Sequence, residues 1–81
     1  MNRDQIEDRV IELVRQYTHG DVPVEPDTRL REDLGLDSLD TVELKMDLED
    51  EYSTAISDEE FLRMSDVGDV IDFIEKIAPG K

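Results

Sequence analysis

Hydrophobic residues recur at helical spacing in the first part of the chain. They fall at i, i+4, i+7, i+8 and i+11, and these positions are Ile6, Val10, Leu13, Val14 and Tyr17. Residues spaced in this way share one face of an α-helix. Asn2, followed three residues later by Gln5, forms a capping-box pattern, and Gly20 stands where a helix stop is expected. The pattern predicts a first helix over residues 3–18.

A long connection separates this helix from the next one. Residues 21–37 contain Pro23, Pro26 and Gly35, and their apolar residues, Val22 among them, are irregularly spaced. Loops of this length are uncommon in compact domains and usually have a function. The scattered apolar residues predict that this loop is held against the core.

Three further helices are predicted after the loop. Asp37 is a favourable N-cap, and the chain then continues without glycine or proline to about Tyr52. Ser57 and Glu60 form a second capping-box pattern, which predicts a short third helix. Ser65 is predicted to cap a fourth helix. Its apolar positions, again at helical spacing, are Val67, Val70, Ile71, Ile74 and Ile77.

The order of these elements predicts the fold class. Pro79 and Gly80 follow the fourth helix as a stop signal, and no segment shows the alternation typical of a strand. We therefore predict an all-α fold. It is a small four-helix bundle with three long helices, a short helix III and a long first loop, and it forms a single domain over residues 1–81.

The charge balance excludes several classes of function. With 23 acidic and 9 basic residues the formal net charge is −14. This argues against binding to nucleic acid or to an anionic membrane surface and favours partners with basic patches. The chain has no cysteine for disulfides or thiol catalysis, and its one histidine, His19, cannot build a metal site alone. No apolar run is long enough to span a membrane, and the first residues lack a signal peptide's apolar core. We expect a cytoplasmic protein without membrane insertion or a metal site.

The second predicted helix has a dense acidic stripe. At about 100° per residue, five acids fall within roughly a quarter-turn, and they are Asp40, Glu43, Asp47, Asp50 and Glu51. Like charges at this spacing repel each other, so the stripe costs stability. It is either a solvated face or a docking strip for basic partners, with Leu39 beside it as an exposed apolar anchor.

Ser38 stands at the start of this helix, directly after the long loop. A serine in this position is ordinarily a cap or a first-turn residue. It is not a self-activated nucleophile, because His19 lies on another segment and no Gly-x-Ser-x-Gly elbow surrounds it. We predict no catalytic residue in this chain. If Ser38 takes part in chemistry, another protein performs that chemistry on it.

Residues 33–44 make the family recognisable. Their sequence, Asp-Leu-Gly-Leu-Asp-Ser-Leu-Asp-Thr-Val-Glu-Leu, is similar to the prosthetic-group attachment region of bacterial acyl carrier proteins. The similarity continues through residues 48–52 and 57–60 and into the fourth helix. The resemblance implies that a phosphopantetheinyl transferase attaches 4′-phosphopantetheine to Ser38. The terminal thiol of that arm would then carry acyl groups as thioesters.

The same resemblance implies partners and further site residues. The protein would be a monomeric carrier, not an enzyme, that serves acyl-transferring, condensing and reducing enzymes of fatty acid or related lipid biosynthesis through their basic docking patches. Partner recognition would involve Asp37, Leu39, Asp40, Val42, Glu43, Met46, Asp47 and Glu49. An apolar cleft for the acyl chain would be lined by Met46, Leu48, Phe61, Met64 and Ile71.

Four residues depart from the pattern of the common fatty-acid carriers, and they are Lys45, Asp47, Ser57 and Phe61. They favour, as an alternative, a carrier dedicated to a specialised polyketide or another acyl pathway. A further alternative is an acidic helical interaction module without a prosthetic group. Lys45 falls within the apolar sector of the second helix. We expect it to point outward with Glu49 as an occasional partner, so that Lys45→Val would stabilise the fold by roughly 0.5–1.5 kcal/mol.

Overall fold

Four helices account for most of the chain in a computed structural model that describes residues 2–18 and 23–77. Helix α1 spans Arg3–Arg15, α2 spans Ser38–Tyr52, α3 spans Asp58–Leu62 and α4 spans Val67–Ile77. Among the described residues there is no strand, and the only bridge of the β type is an isolated one between Arg29 and Asp66. The predicted all-α fold is therefore confirmed. None of the described helices is long and apolar enough to cross a membrane.

Each of the first three helices begins with a capping box. The start of a helix leaves backbone N–H groups without intrahelical partners, and the side chains of the box accept hydrogen bonds from them. At α1 the Gln5 N–H donates to Asn2 Oδ1 at 2.9 Å, and the Asn2 N–H donates to Gln5 Oε1 at 3.1 Å. At α3 the Glu60 N–H donates to Ser57 Oγ at 3.1 Å, and Glu60 Oε1 accepts from the Ser57 N–H at 3.2 Å. Both predicted boxes are confirmed.

Two predicted helix boundaries are wrong, namely the end of the first helix and the start of the fourth. The first helix ends at Arg15, because the following N–H groups bond three residues back, as Tyr17 does to the Val14 carbonyl at 3.0 Å. The fourth helix is capped by Asp66, not by Ser65: the Asp69 N–H donates to Asp66 Oδ1 at 2.8 Å. The stop signals predicted at Gly20 and at Pro79-Gly80 lie outside the described residues.

The core is formed by the apolar faces of the four helices and by the long loop. Helix α1 packs against α2 and α4. The side chains without exposed surface include members of each long helix, and the largest of these are Ile6, Leu44, Leu48, Ile71 and Ile74. The helical periodicity therefore predicted the buried faces of α1 and α4, except that Ile77 is exposed.

The first loop is fixed to the connection between α3 and α4. The Leu30 N–H donates to the Ser65 carbonyl, and the Val67 N–H donates to the Thr28 carbonyl, both at 3.0 Å. The Arg31 guanidinium donates at 3.2 Å to two carbonyl oxygens, that of Leu62 at the end of α3 and that of Met64 just after it. Three apolar loop residues are buried, and they are Val24, Leu30 and Leu36. The prediction that the loop is held against the core is confirmed for its described part, which does not include Val22.

Two polar contacts tie α1 and the residues just after it to α2. The Tyr17 hydroxyl donates to the Asp47 carboxylate, and Arg9 pairs with Glu51 at 2.7 Å. Burial, the hydrogen bond to Asp47 and the nearby negative charges raise the pKa of Tyr17 to about 12. The tyrosine is thus held in its neutral, donating form.

The Tyr17 contact predicts a pH-dependent contribution to stability. Tyr17→Phe should lower the free energy of unfolding at neutral pH by about 0.5–1.5 kcal/mol, since it removes one hydrogen bond. Because the pKa of Tyr17 is raised on folding, its contribution is full below about pH 10 and is lost as the pH rises through about 12. In urea melts from pH 8 to 12, the gap between wild type and variant should narrow above pH 10. A constant gap would contradict this assignment.

Candidate functional site

The start of α2 is held by the residue that precedes Ser38. The Asp40 N–H donates to Asp37 Oδ1 at 2.8 Å, and the Asp37 N–H donates to Asp40 Oδ2 at 3.3 Å. The Thr41 hydroxyl donates to the Ser38 carbonyl oxygen at 2.9 Å, which closes the first turn. Asp37 was predicted as the N-cap, and this is confirmed.

Ser38 is therefore exposed and is not needed as a cap. It is the first residue of a fifteen-residue helix, and none of the hydrogen bonds among the described residues uses its hydroxyl. An anionic group on this oxygen would lie at the positive end of the helix dipole, next to backbone N–H groups that α2 leaves unpaired. The position thus fits a phosphodiester, although the neighbouring carboxylates of Asp37 and Asp40 oppose it.

One face of α2 presents apolar side chains to solvent. Leu39 is 66% exposed, Met46 is 53% exposed and Val42 is 44% exposed. Glu43 and Asp50 are exposed on the same side of the helix. The three apolar residues and these two acids are called the open face of α2 below. A mixed apolar and charged surface of this kind is suited to a partner with apolar and basic groups.

The other acids of the stripe have partners within the chain. Asp47 accepts the hydrogen bond from Tyr17, and Glu51 pairs with Arg9. Glu49 accepts the Ile56 N–H at 2.8 Å and thereby holds the connection between α2 and α3. The structure therefore brings four of the predicted recognition residues together on the open face, namely Leu39, Val42, Glu43 and Met46. Asp37 and Asp40 lie in the cap, while Asp47 and Glu49 point to other segments.

A cavity of about 220 Å³ lies beside Ser38, between α2 and α3. Its lining residues are Ser38, Thr41, Val42, Lys45, Asp58, Phe61 and Leu62. Those from α2 occur at i, i+3, i+4 and i+7, which is one side of a helix. The cavity is thus formed by the side of α2 that begins at Ser38 and by the facing residues of α3.

The five residues predicted for an acyl cleft are not gathered around this cavity. Phe61 alone lines it. Leu48 and Ile71 are fully buried in the core, and Met64 is buried and borders a separate recess between α3 and α4. Met46 points to solvent, because it lies on the side of α2 opposite to the buried Leu44 and Leu48. The sequence did not predict that Thr41, Leu62 and Asp58 line this cavity. Thr41 could have been predicted, because it lies three residues after Ser38 on the same side of the helix.

The expectation for Lys45 is wrong. Its side chain is only 15% exposed, and its ammonium lies 3.1 Å from Asp58 Oδ1 and donates to the Ile56 carbonyl oxygen at 3.3 Å. Glu49 is not its partner, because that carboxylate accepts the Ile56 N–H. Lys45 therefore links α2 to the connection before α3 and to the first residue of α3. The segment that covers it is distant enough in sequence that the helical pattern could not reveal it.

Because of these contacts, replacing Lys45 with an apolar residue should destabilise the fold, whereas the sequence predicted that it would stabilise it. Lys45→Met keeps the apolar stem but leaves the Ile56 carbonyl and Asp58 without their partner. It should lower the free energy of unfolding by about 1 kcal/mol, since Asp58 is largely exposed and contributes little.

The matched control is Lys76→Met, which makes the same change at an exposed position of α4 and should alter stability by less than about 0.5 kcal/mol. Urea denaturation followed by circular dichroism measures both variants. A Lys45→Met protein as stable as wild type would contradict the structural role of the lysine.

No group of three or more histidine or acidic side chains that could hold a metal ion occurs in the described parts of the chain. His19 lies outside them. The chemistry available at the site is thus that of one exposed hydroxyl, an adjoining cavity and the open face of α2.

Comparisons with known proteins agree with this geometry. The family described as "Phosphopantetheine attachment site" matches residues 8–74. The acyl carrier protein of Rickettsia canadensis (strain McKiel) is 45% identical over 74 residues, which is 90% of this chain and 86% of the relative. The acyl carrier proteins of Rickettsia rickettsii (strain Iowa) and Rickettsia typhi show the same identity and coverage. The similarity thus includes the whole of α2 and most of the core.

Proposed function

Since this chain belongs to the bacterial acyl carrier proteins and contains their phosphopantetheine attachment domain, we propose that Ser38 is the residue that bears the 4′-phosphopantetheine arm. The observation that carries the proposal is that the N-cap of α2 is the residue before Ser38 and not Ser38 itself. Asp37 caps the helix, so the Ser38 hydroxyl is exposed and not engaged in the cap. It also borders the cavity between α2 and α3.

The chemistry at Ser38 is performed by a phosphopantetheinyl transferase. The serine oxygen forms a phosphodiester with the pantetheine-side phosphate of coenzyme A, the hydroxyl proton leaves, the pyrophosphate bond breaks, and adenosine 3′,5′-bisphosphate is released. The bound arm supplies the thiol that a cysteine-free chain lacks, and this thiol holds acyl groups as thioesters. The residues of this chain position the oxygen, and the helix dipole stabilises the new negative charge.

The open face of α2 is the docking surface for the partner enzymes. Its exposed apolar residues supply contact area, and Glu43 and Asp50 supply the charge that attracts basic patches. Asp37 and Asp40 add charge close to Ser38. The protein acts as a monomeric cytoplasmic carrier that delivers acyl groups to enzymes of fatty acid or related lipid biosynthesis, and it performs no catalysis itself.

One observation favours the alternative of a dedicated acyl pathway. The cavity beside Ser38 contains a lysine, and Phe61 occupies part of its wall. A wholly apolar acyl chain would have to pass an ammonium group there. A carrier for a specialised polyketide or another modified acyl group fits this lining better than a carrier for long saturated chains.

The attachment site is tested by substitution of the serine. Ser38→Ala should accept no phosphopantetheinyl group from coenzyme A in the presence of a broad-specificity transferase, as judged by intact-protein mass. Its stability should stay within about 0.5 kcal/mol of wild type, because Asp37 is the cap. Ser65→Ala removes an exposed hydroxyl elsewhere and should load normally. Loading of Ser38→Ala would refute the assignment, and an unmodified wild-type chain would favour the interaction module.

The docking surface is tested by reversal of one charge. Glu43→Lys should raise the transferase's KM about fivefold at low salt, because an exposed charge that meets a basic patch contributes on the order of 1 kcal/mol. The difference in KM should shrink as salt is added, because at ordinary ionic strength the interaction between exposed charges decays over about 8–10 Å. Asp8→Lys makes the same change on α1 and should have a much smaller effect. Equal KM values for the two variants would contradict docking through the open face.

A further inference from the structure

The lining of the cavity beside Ser38 includes two charged residues, Lys45 and Asp58, among apolar ones. Lys45 lines this cavity, and its ammonium is held by Asp58 at 3.1 Å and by the Ile56 carbonyl oxygen at 3.3 Å. An ammonium group has three N–H donors. These two acceptors leave one N–H donor of Lys45 without a partner among the described residues.

The cavity is also small. Its volume of about 220 Å³ lies below the roughly 300–1,000 Å³ typical of small-molecule pockets and above the roughly 150 Å³ that holds a benzene ring. It has room for a short acyl segment, and a segment that entered it would come near Lys45. A saturated segment would remove water from the ammonium without replacing the lost hydrogen bond, which is unfavourable. A segment with an oxygen acceptor would replace it.

The surrounding charges favour a neutral acceptor over an anionic one. Asp58 already balances the charge of Lys45, and Asp37, Asp40 and Glu43 lie on α2 close to Ser38. The chain as a whole has a net charge of −14. A carboxylate in the cavity would be repelled by these groups and would compete with Asp58 for the ammonium. A hydroxyl or keto oxygen accepts a hydrogen bond without that repulsion.

We propose that Lys45 is a specificity-determining residue, which makes the cavity favour acyl groups with a hydroxyl or keto oxygen over saturated acyl groups of the same length. The proposal rests on attachment of the arm at Ser38. Its physical basis is that Lys45 lines the same cavity as Ser38 and the apolar residues Phe61 and Leu62.

The test compares acyl groups of equal carbon number on the same protein. Wild type, Lys45→Met and Lys76→Met are loaded at Ser38 from hexanoyl-, 3-hydroxyhexanoyl-, 6-hydroxyhexanoyl- and adipoyl-coenzyme A. The rate of thioester cleavage by hydroxylamine is then measured and divided by the rate for the same acyl group on free pantetheine. A group sheltered in the cavity is cleaved more slowly.

In wild type, at least one hydroxylated group should be protected about five- to tenfold more than hexanoyl or adipoyl, which corresponds to about 1–1.4 kcal/mol, the net contribution of a typical hydrogen bond. Lys45→Met should lose this preference, and Lys76→Met should keep it. If Lys45→Met is unfolded at the assay temperature, Lys45→Gln is used in its place. Its preference for the hydroxylated groups should be smaller than that of wild type.

Three outcomes would overturn the proposal. They are equal protection of all four groups in wild type, a preference that survives unchanged in the Lys45 variants, and strongest protection of adipoyl. Intact-protein mass separates this failure from failure of the proposed function. Full loading without a preference overturns the role of Lys45 alone, whereas absence of the arm from Ser38 overturns the attachment site and this role with it.

Discussion

The cap of α2 by Asp37 is the contact on which the site depends. Asp37 and Asp40 each accept the other's backbone N–H, so the first turn of α2 is stable without the serine hydroxyl. Because the cap precedes Ser38 by one residue, that hydroxyl is exposed at the positive end of the helix. A cap at Ser38 itself would engage the oxygen in a backbone hydrogen bond. The same carboxylates that stabilise the helix therefore also leave its first side chain out of the cap.

The large acidic surplus is partly a structural requirement. Carboxylates accept backbone N–H groups in the first loop, between α2 and α3, and before α4, at Asp33, Glu49 and Asp69. Others pair with Arg9 of α1 and with Tyr17, two residues after its end. These contacts divide the acidic stripe of α2, so that Glu43 and Asp50 stay on the open face with the exposed apolar residues. The proposed docking surface is thus narrower and more apolar than the count of acids suggests.

Helix α3 is short, yet it determines the character of the cavity. Phe61 and Leu62 supply its apolar wall, and Asp58 at the first position of α3 holds the Lys45 ammonium. The connection before α3 is held from both sides, since Lys45 donates to the Ile56 carbonyl and Glu49 accepts the Ile56 N–H. Two side chains of α2 that lie one turn apart therefore fix the position of α3 and, with it, the distance across the cavity.

The sequence alone determined the four helices, the capping boxes at Asn2 and Ser57, the N-cap at Asp37 and the position of Ser38 at the start of α2. These features depend on residues within about four positions of one another, which is the range over which helical periodicity and capping act. Only the tertiary structure decided which segment covers Lys45, which acids of α2 face α1, and where the cavity lies. Those outcomes depend on elements that meet across the fold, since the partner of Lys45 lies on α3 and the partner of Asp47 lies at the end of the first helical segment. A helical wheel gives the side of α2 on which a residue lies, but the element that packs against that side is set by the whole chain.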